Sequence, residues 1–200
     1  MTPKPSEIAL LPSNRNAIVF RGLIMKPVED FGVFNGFSCV RPGDKDKDID
    51  DFIQDDAHRY FKDKVAVTYG LFFNARGWKT RCPLGFATLQ NDTIEIPVKD
   101  YYPNMPAVKI GRFGIRLELQ RRKVGSTFLY MIYEFMRQAN NRTGCRYLTL
   151  NTYQPVVKFY EENNFIVFDG KPGKPRPTKQ LIMYLDLLSE SIHRWPPDTK

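Results

Sequence analysis

The sequence predicts an α/β domain with a mixed sheet, because strand-like apolar runs and helix-like periodic segments alternate along the chain. Its 200 residues, 42% of them hydrophobic, are enough to bury most of the apolar surface in one core without disulfides or metals. We expect one domain over residues 1–188 and a loosely ordered tail over residues 189–200.

Residues 46–63 predict the first helix. Apolar residues recur there at helical spacing, and Asp residues lie near the start, where the helix dipole favours them. The alternating Asp residues also resemble the start of a calcium loop. However, Ile49 stands where that loop needs Gly and Asp55 where it needs a bidentate Glu, so a calcium site is not expected.

Three strand-like runs follow this helix. "VAVTYGLFFN" (65–74) and "CPLGFATLQND" (82–92), separated by the turn-like "ARGWKTR", predict a hairpin. "PAVKIGRFGIRLEL" (106–119) predicts a third strand, which leads into a basic segment.

The second half of the sequence predicts two helices and three strands. A helix starts near residue 124, carries one apolar stripe and ends at "NNRTG"; the stripe residues are Val124, Phe128, Ile132 and Phe135. "CRYLTLNT" predicts a strand, and "QPVVKFYEENN" a short helix with Pro155 in its first turn. "FIVFDG" and "QLIMYLDL" predict the last two strands, with the basic loop "KPGKPRPTK" between them.

The net charge of +8 is unevenly distributed. Residues 107–146 hold nine Lys or Arg against two Glu, a net of +7, whereas residues 44–56 hold seven Asp against two Lys, a net of −5. The basic region therefore favours an anionic ligand or partner. Two solvated faces of opposite sign are the alternative.

The three cysteines predict free thiols in a reducing, cytoplasmic environment. Cys39, Cys82 and Cys145 are odd in number, far apart and without a CxxC pair, which also argues against structural zinc. We find no secretory signal in residues 1–11 and no apolar run of about 18 residues that would span a membrane.

Three consecutive cations, Arg121, Arg122 and Lys123, stand where a helix is about to begin. The helix dipole disfavours cations there, whereas unpaired N–H groups and the dipole together favour an anion. Gly125 lets the backbone approach a ligand closely, and Ser126 offers a hydroxyl and a helix cap. This pattern predicts a cradle for a pyrophosphate; a solvated basic loop before an ordinary amphipathic helix is the alternative.

The segment "IGRFGIRLELQRRKVGS" resembles motif A of the GNAT superfamily of acyl-CoA N-acyltransferases, whose usual form is close to "GRLAVDxxYQGxGIGxxLL". The two align without a gap from Gly111 to Leu129. Gln120 and Gly125 match the Q-x-x-G-x-G/A positions, while Lys123 replaces the first Gly.

A second segment, "QPVVKFYEENNF", is similar to the family's "xxAxxFYxKxGF". Phe159, Tyr160 and Phe165 match, and Asn164 replaces a Gly, a mild exchange because Asn tolerates left-handed backbone. Upstream, "FSCV" and "LGFATLQND" resemble a branch that includes toxins acetylating the amine of aminoacyl-tRNA. The resemblance covers roughly residues 34–187.

The resemblance implies a mixed, mostly antiparallel central sheet flanked by helices, with acetyl-CoA as the acyl donor. The main chain of Phe113 and Ile115 would contact the pantetheine arm, and a backbone N–H there would polarise the thioester carbonyl. The remaining cofactor-binding residues would be Gln120, Arg121, Arg122, Lys123, Val124, Gly125 and Ser126. Tyr160 would be the catalytic acid that protonates the departing sulfur.

Each assignment has an alternative. Tyr160 could instead be a packing residue with its hydroxyl bonded to backbone. Arg112 could orient the acceptor or form a surface salt bridge. Glu118 could act as a base through water, or solvent could take the proton.

The resemblance implies an N-acetyltransferase that moves an acetyl group to a primary amine by direct attack in a ternary complex. A toxin acetylating aminoacyl-tRNA, a non-catalytic acyl-CoA-binding protein and a nucleic-acid-binding protein are the alternatives. Acetyl-CoA, an amine acceptor and tRNA are the partners considered, with no membrane; pairing into a homodimer is common in the family.

Overall fold

A nine-stranded sheet and four α-helices make up the part of the chain that the computed structural model describes, residues 9–11, 14–41, 47–74, 82–96, 104–168 and 180–189. The strands are β1 (Ala9–Leu11), β2 (Asn14–Phe20), β3 (Leu23–Pro27), β4 (Val67–Phe73), β5 (Gly85–Glu95), β6 (Asn104–Ile115), β7 (Tyr147–Tyr153), β8 (Ile166–Val167) and β9 (Gln180–Asp186).

The helices differ in length and regularity. Helix α1 (Asp48–Asp51) runs through a π-helical turn (Phe52–Asp56) into α2 (Ala57–Lys62). Helix α3 (Val124–Thr143) is the longest, and α4 (Gln154–Glu161) carries Pro155 in its first turn. Two 3-10 turns cover Phe31–Phe34 and Leu117–Leu119.

The strands lie in the order β1-β2-β3-β4-β5-β6-β7-β9-β8. Among the described strands, β6 and β7 form the one parallel pair, and every other neighbouring pair is antiparallel. The predicted mixed, mostly antiparallel sheet flanked by helices is therefore confirmed.

Successive strand residues point to opposite sides of the sheet, so apolar residues can lie on both faces. Helices pack on both of these faces. Ala87 packs in the main core with Phe128, Leu129 and Ile132 of α3. Its neighbour Phe86 lies in a second core with residues of α1, the π-helical turn and α2. Full burial of each large apolar side chain contributes about 1.5–3 kcal/mol, so the predicted stripe of α3 fixes this helix on one face.

The third strand, predicted over residues 106–119, ends four residues earlier in the structure. Strand β6 stops at Ile115, whose partner Gly85 is the first residue of β5. Beyond this point, the N–H groups of Arg116 and Leu117 donate to the carbonyls of Leu84 and Ser38, so the chain leaves the ladder and forms a 3-10 turn.

The N-terminal strands β1–β3 are not predicted, whereas the hairpin β4–β5 and the helix over residues 48–62 are confirmed. The predicted turn at 75–81, the basic loop at 171–179 and the tail from residue 190 lie outside the described residues. No helix within the described ranges is long and apolar enough to cross a membrane.

Candidate active site

A wedge opens in the sheet between β6 and β7. The two strands pair in parallel only from Ala107–Tyr147 to Ile110–Leu150, although β6 continues to residue 115 and β7 to residue 153. On its other edge, β6 is paired with β5 from Asn104 to Ile115, with one interruption at Gly111. We call the gap between residues 111–115 and 151–153 the wedge.

A bulge in β6 accompanies the wedge. Thr88 pairs with Arg112 and Leu89 pairs with Ile110, so Gly111 is an extra residue with no partner of its own in β5. A bulge bends its strand and increases the local twist. The bulge therefore lies where β6 turns away from β7.

Aromatic side chains form one wall beside the wedge. The ring of Phe113 in β6 lies 5.5 Å from Phe128 of α3 and 6.3 Å from Phe159 of α4. The ring of Tyr160 lies 5.1 Å from Phe159 and 5.8 Å from Phe165. These contacts bring β6 and both helices of the predicted site together.

Gly125 is closely packed against two neighbouring side chains. A Cβ atom at this position would lie 3.2 Å from Cζ of Phe159 and 3.5 Å from Cγ1 of Ile115. The absence of a side chain therefore lets the first turn of α3 approach α4 and the end of β6.

The backbone just before and within the first turn of α3 offers free N–H groups. Thr127 N donates to Lys123 O at 2.9 Å, the first such bond of the helix. Among the described residues, none accepts a short, well-aligned hydrogen bond from the amides of residues 121–126. We call these six residues the cradle.

Two residues of the cradle have left-handed backbone, Arg121 with φ +59° and Lys123 with φ +62°. Arg121, Arg122 and Lys123 are all exposed, and no described carboxylate pairs with them. The N-cap is Lys123 without a side-chain bond, so the expectation that Ser126 caps the helix is wrong: Ser126 lies inside the first turn and is buried.

The side chain of Gln120 bonds to the protein's own backbone. Its Nε2 donates to the carbonyls of Ile115 at 3.0 Å and of Cys39 at 2.7 Å. The side chain thus holds the segment that precedes the cradle, which differs from the cofactor contact expected from the motif.

Tyr160 is half-buried between aromatic rings, and no described residue hydrogen-bonds to its hydroxyl. Burial raises the pKa of this phenol above its usual value. The group is therefore neutral over the physiological range and available as a donor. Tyr160 packs against the core, as the alternative expects, but no described backbone group bonds to its hydroxyl.

Arg112 forms a surface salt bridge with Asp48, one of the two roles that the sequence leaves open for it. Its Nε lies 3.2 Å from Oδ2 of Asp48, its Nη1 donates to Gly111 O at 3.0 Å, and its guanidinium covers the ring of Phe52. Glu118 is exposed and 3.9 Å from Arg116, with no described contact to the wedge.

One polar cluster near the cradle is not evident in the sequence. The carboxylate of Asp50 in α1 accepts bonds from Ser38 and Cys39, and the carbonyl of Cys39 accepts from Gln120. Only the Asp-rich start of the helix indicates it, because the paired residues are 11 or more positions apart in the sequence.

No family model and no curated protein matches the chain. Solved structures do. A tyrosine-to-phenylalanine mutant of KacT is 19% identical, with 87% of this chain and 99% of that chain covered and a TM-score of 0.67.

The toxin AtaT gives two further matches. A tyrosine-to-phenylalanine mutant bound to the C-terminus of the antitoxin AtaR and acetyl-CoA is 20% identical, covering 83% of this chain and 94% of that chain, with a TM-score of 0.64. AtaT complexed with acetyl-methionyl-tRNAfMet is 21% identical, covering 80% and 93%, with a TM-score of 0.62. The chain therefore has the fold of KacT and AtaT, with the mixed, mostly antiparallel sheet that the resemblance to motif A implies.

Proposed function

We propose that the protein is an acetyl-CoA-dependent N-acetyltransferase that acts by direct attack in a ternary complex, and that its acceptor is the amino group of an aminoacyl-tRNA. The wedge, with the cradle at the adjoining end of α3, is the observation that carries this proposal. An unpaired strand edge in the middle of a sheet leaves main-chain groups for a ligand that can pair like a short strand.

The donor fits the wedge and the cradle together. The amide groups of a pantetheine arm would pair with the main chain of Phe113 and Ile115, and the amides of the cradle would hold the pyrophosphate. The three exposed cations would offset its charge, each contributing about 0.3–1 kcal/mol. These are the same features that are unfavourable in the absence of an anion.

The reaction needs a neutral amine to attack the thioester carbonyl. The C–N bond forms and the C–S bond breaks, while the amine proton passes to solvent. A main-chain N–H in the stretch Phe113–Ile115 would stabilise the oxyanion. The neutral hydroxyl of Tyr160 would donate to the sulfur as negative charge develops on it.

The acceptor would enter from the sheet face opposite α3. Leu148 and Leu150 pack in the main core, so the alternating residues Asn151 and Tyr153 point to the opposite face, where both are exposed. Lys109, which precedes the core residue Ile110 in β6 and so lies on the same face, would attract a phosphate backbone. The solved complex of AtaT with acetyl-methionyl-tRNAfMet supports this class of acceptor. An acceptor of this class would place the protein in the cytoplasm.

Binding is tested first by thermal unfolding with acetyl-CoA. A ligand at 100 times its dissociation constant adds about 2.7 kcal/mol to the free energy of unfolding. Thiol release is then measured with aminoacyl-tRNA, with uncharged tRNA and with free amino acids. Release only with aminoacyl-tRNA is expected. Binding without release from any amine would indicate a sensor, and salt-dependent RNA binding without a response to CoA would indicate a nucleic-acid-binding protein.

Tyr160→Phe should lower the rate of thiol release by about 10²–10⁴-fold, because the donor to the leaving sulfur is lost. Since no described residue bonds to the hydroxyl, the melting temperature and the affinity for acetyl-CoA should change little. Tyr184→Phe, at another half-buried tyrosine, is the matched control. If expression of the wild type halts growth, Tyr160→Phe should relieve the arrest; a fully active variant would contradict the acid role.

A further inference from the structure

The side chain of Asp50 organises a short loop through three hydrogen bonds. Ser38 Oγ donates to Oδ2 at 2.6 Å, while the N–H and the thiol of Cys39 both donate to Oδ1, at 2.9 and 3.0 Å. The carboxylate thus fixes the backbone of residues 38–39. These bonds, with the amide of Val40, lower the pKa of Asp50 although burial opposes the change, so the carboxylate is ionised at neutral pH.

The fixed loop supports the segment between β6 and the cradle at two points. Ser38 O accepts from the N–H of Leu117 at 3.0 Å, and Cys39 O accepts from Gln120 Nε2 at 2.7 Å. Gln120 immediately precedes Arg121, the first cradle residue. Hydrogen bonds therefore connect Asp50 through Cys39 to Gln120, and the chain itself connects Gln120 to the cradle.

Support of this kind matters because the cradle is strained. Arg121 and Lys123 are left-handed without being Gly, and strained backbone persists only where its surroundings determine it. The amides of the cradle can hold an anion only if their directions are set before the ligand arrives. Helix α1, which carries Asp50, packs through Ile49 on the second core, and its Asp48 also pairs with Arg112 of β6.

We propose that Asp50 is a positioning residue for the acyl donor: it fixes residues 38–39, on which Gln120 and the cradle rest, without contacting the ligand itself. This inference rests on the proposed function. It assigns to α1, whose acidic charge is unsuited to a CoA contact, a role in CoA binding.

The experiment compares Asp50→Asn with Asp51→Asn, a change of the same kind at an exposed neighbour in the same helix, for which the structure describes no side-chain contact. Asp50→Asn should raise the KM and the Kd for acetyl-CoA about tenfold, because an amide cannot accept all three bonds. The kcat at saturating donor and the KM for the acceptor should stay within about twofold of the wild type. Asp51→Asn should change none of these values.

A double-mutant cycle tests the path. Gln120→Ala alone should raise the Kd for acetyl-CoA, and combining it with Asp50→Asn should add little, since both act on the same contact. Ser38→Ala, which removes one bond but keeps the carboxylate, provides a milder variant if Asp50→Asn folds poorly, and it too should raise the Kd.

An unchanged Kd in Asp50→Asn and Ser38→Ala, with a wild type that binds acetyl-CoA, would overturn this inference and leave the proposed function standing. Additive effects of Asp50→Asn and Gln120→Ala would also overturn it. A wild type that does not bind acetyl-CoA would overturn the proposed function and this inference with it.

Discussion

At the scale of single residues, Phe159 connects the parts of the candidate site. Its ring meets Gly125 at the start of α3, Phe113 in β6 and Tyr160 in its own helix. A shift of this ring would therefore change the packing of the cradle, the wedge and the proposed acid together.

Gly125→Ala should weaken donor binding without unfolding the protein. The new Cβ would meet Phe159 at 3.2 Å, so the ring or the helix start must move by a few tenths of an ångström. We expect the KM for acetyl-CoA to rise about tenfold, because small displacements at a site are costly. Thermal unfolding should change by no more than about 1 kcal/mol.

A second substitution checks the cause of that effect. Phe159→Leu shortens the side chain that Cβ would meet, so the double variant Gly125→Ala with Phe159→Leu should bind acetyl-CoA better than Gly125→Ala alone. Weaker binding by the double variant than by either single variant would contradict the proposed contact.

Residue-scale inference from sequence succeeds where local chemistry decides and fails where distant contacts decide. Asn164 in place of Gly predicts left-handed backbone, and its φ is +68°. The direction of Gln120 was not predictable, because its partner Cys39 lies 81 positions away. The hydrogen bond between Asp50 and Ser38, 12 positions apart, was not predictable either.

At the scale of elements, the cradle combines a helix start with two strained residues. Lys123 has φ +62° and stands where motif A usually has Gly. Left-handed backbone costs a residue with a Cβ about 1–2 kcal/mol. The cradle is thus less stable than it would be with Gly at position 123. This fits a site that binding of its ligand stabilises.

Lys123→Gly should raise the free energy of unfolding by about 1 kcal/mol and weaken acetyl-CoA binding about two- to fivefold. The first effect comes from relief of strain, and the second from loss of a cation worth about 0.3–1 kcal/mol. Arg122→Gly is the matched control, since Arg122 is not left-handed: it should lower the free energy of unfolding. Urea unfolding measures the free energy of unfolding, and calorimetry measures the affinity for acetyl-CoA. A lower free energy of unfolding in Lys123→Gly would contradict the presence of strain at this residue.

The elements were predictable to different degrees. Periodicity and turn signals locate α3, α4 and the hairpin β4–β5, because those patterns are local. The wedge was not predictable from the pattern of either strand, since it depends on where two strands cease to pair. The π-helical turn at Phe52–Asp56 has no sequence signal that we recognise.

At the scale of the whole molecule, buried tyrosines limit the alkaline range. Burial raises the pKa of Tyr69 to about 12, and burial together with Glu134 raises that of Tyr130 to about 12. Each phenol ionises near its usual value of about 10 in the unfolded chain. Between pH 10 and 12 the unfolded state therefore binds fewer protons, so stability is present below pH 10 and is lost as pH rises.

The free energy of unfolding should fall by about 1.4 kcal/mol per pH unit for Tyr69 over this range. Urea unfolding at a series of pH values measures the slope, and the ultraviolet absorbance of tyrosinate follows the ionisation. Tyr69→Phe should make the slope shallower by that amount. An identical slope in the variant would contradict the assignment.

The single parallel pairing among the described strands has a consequence for folding. Strands β6 and β7 can meet only after the chain of α3 has crossed over between them, so their contact closes a long loop and forms slowly. Antiparallel neighbours such as β4 and β5 can associate earlier. A chain that has not yet formed this pair would lack the gap between β6 and β7 altogether, so it could not recognise a nucleotide thioester until this long-range contact is made.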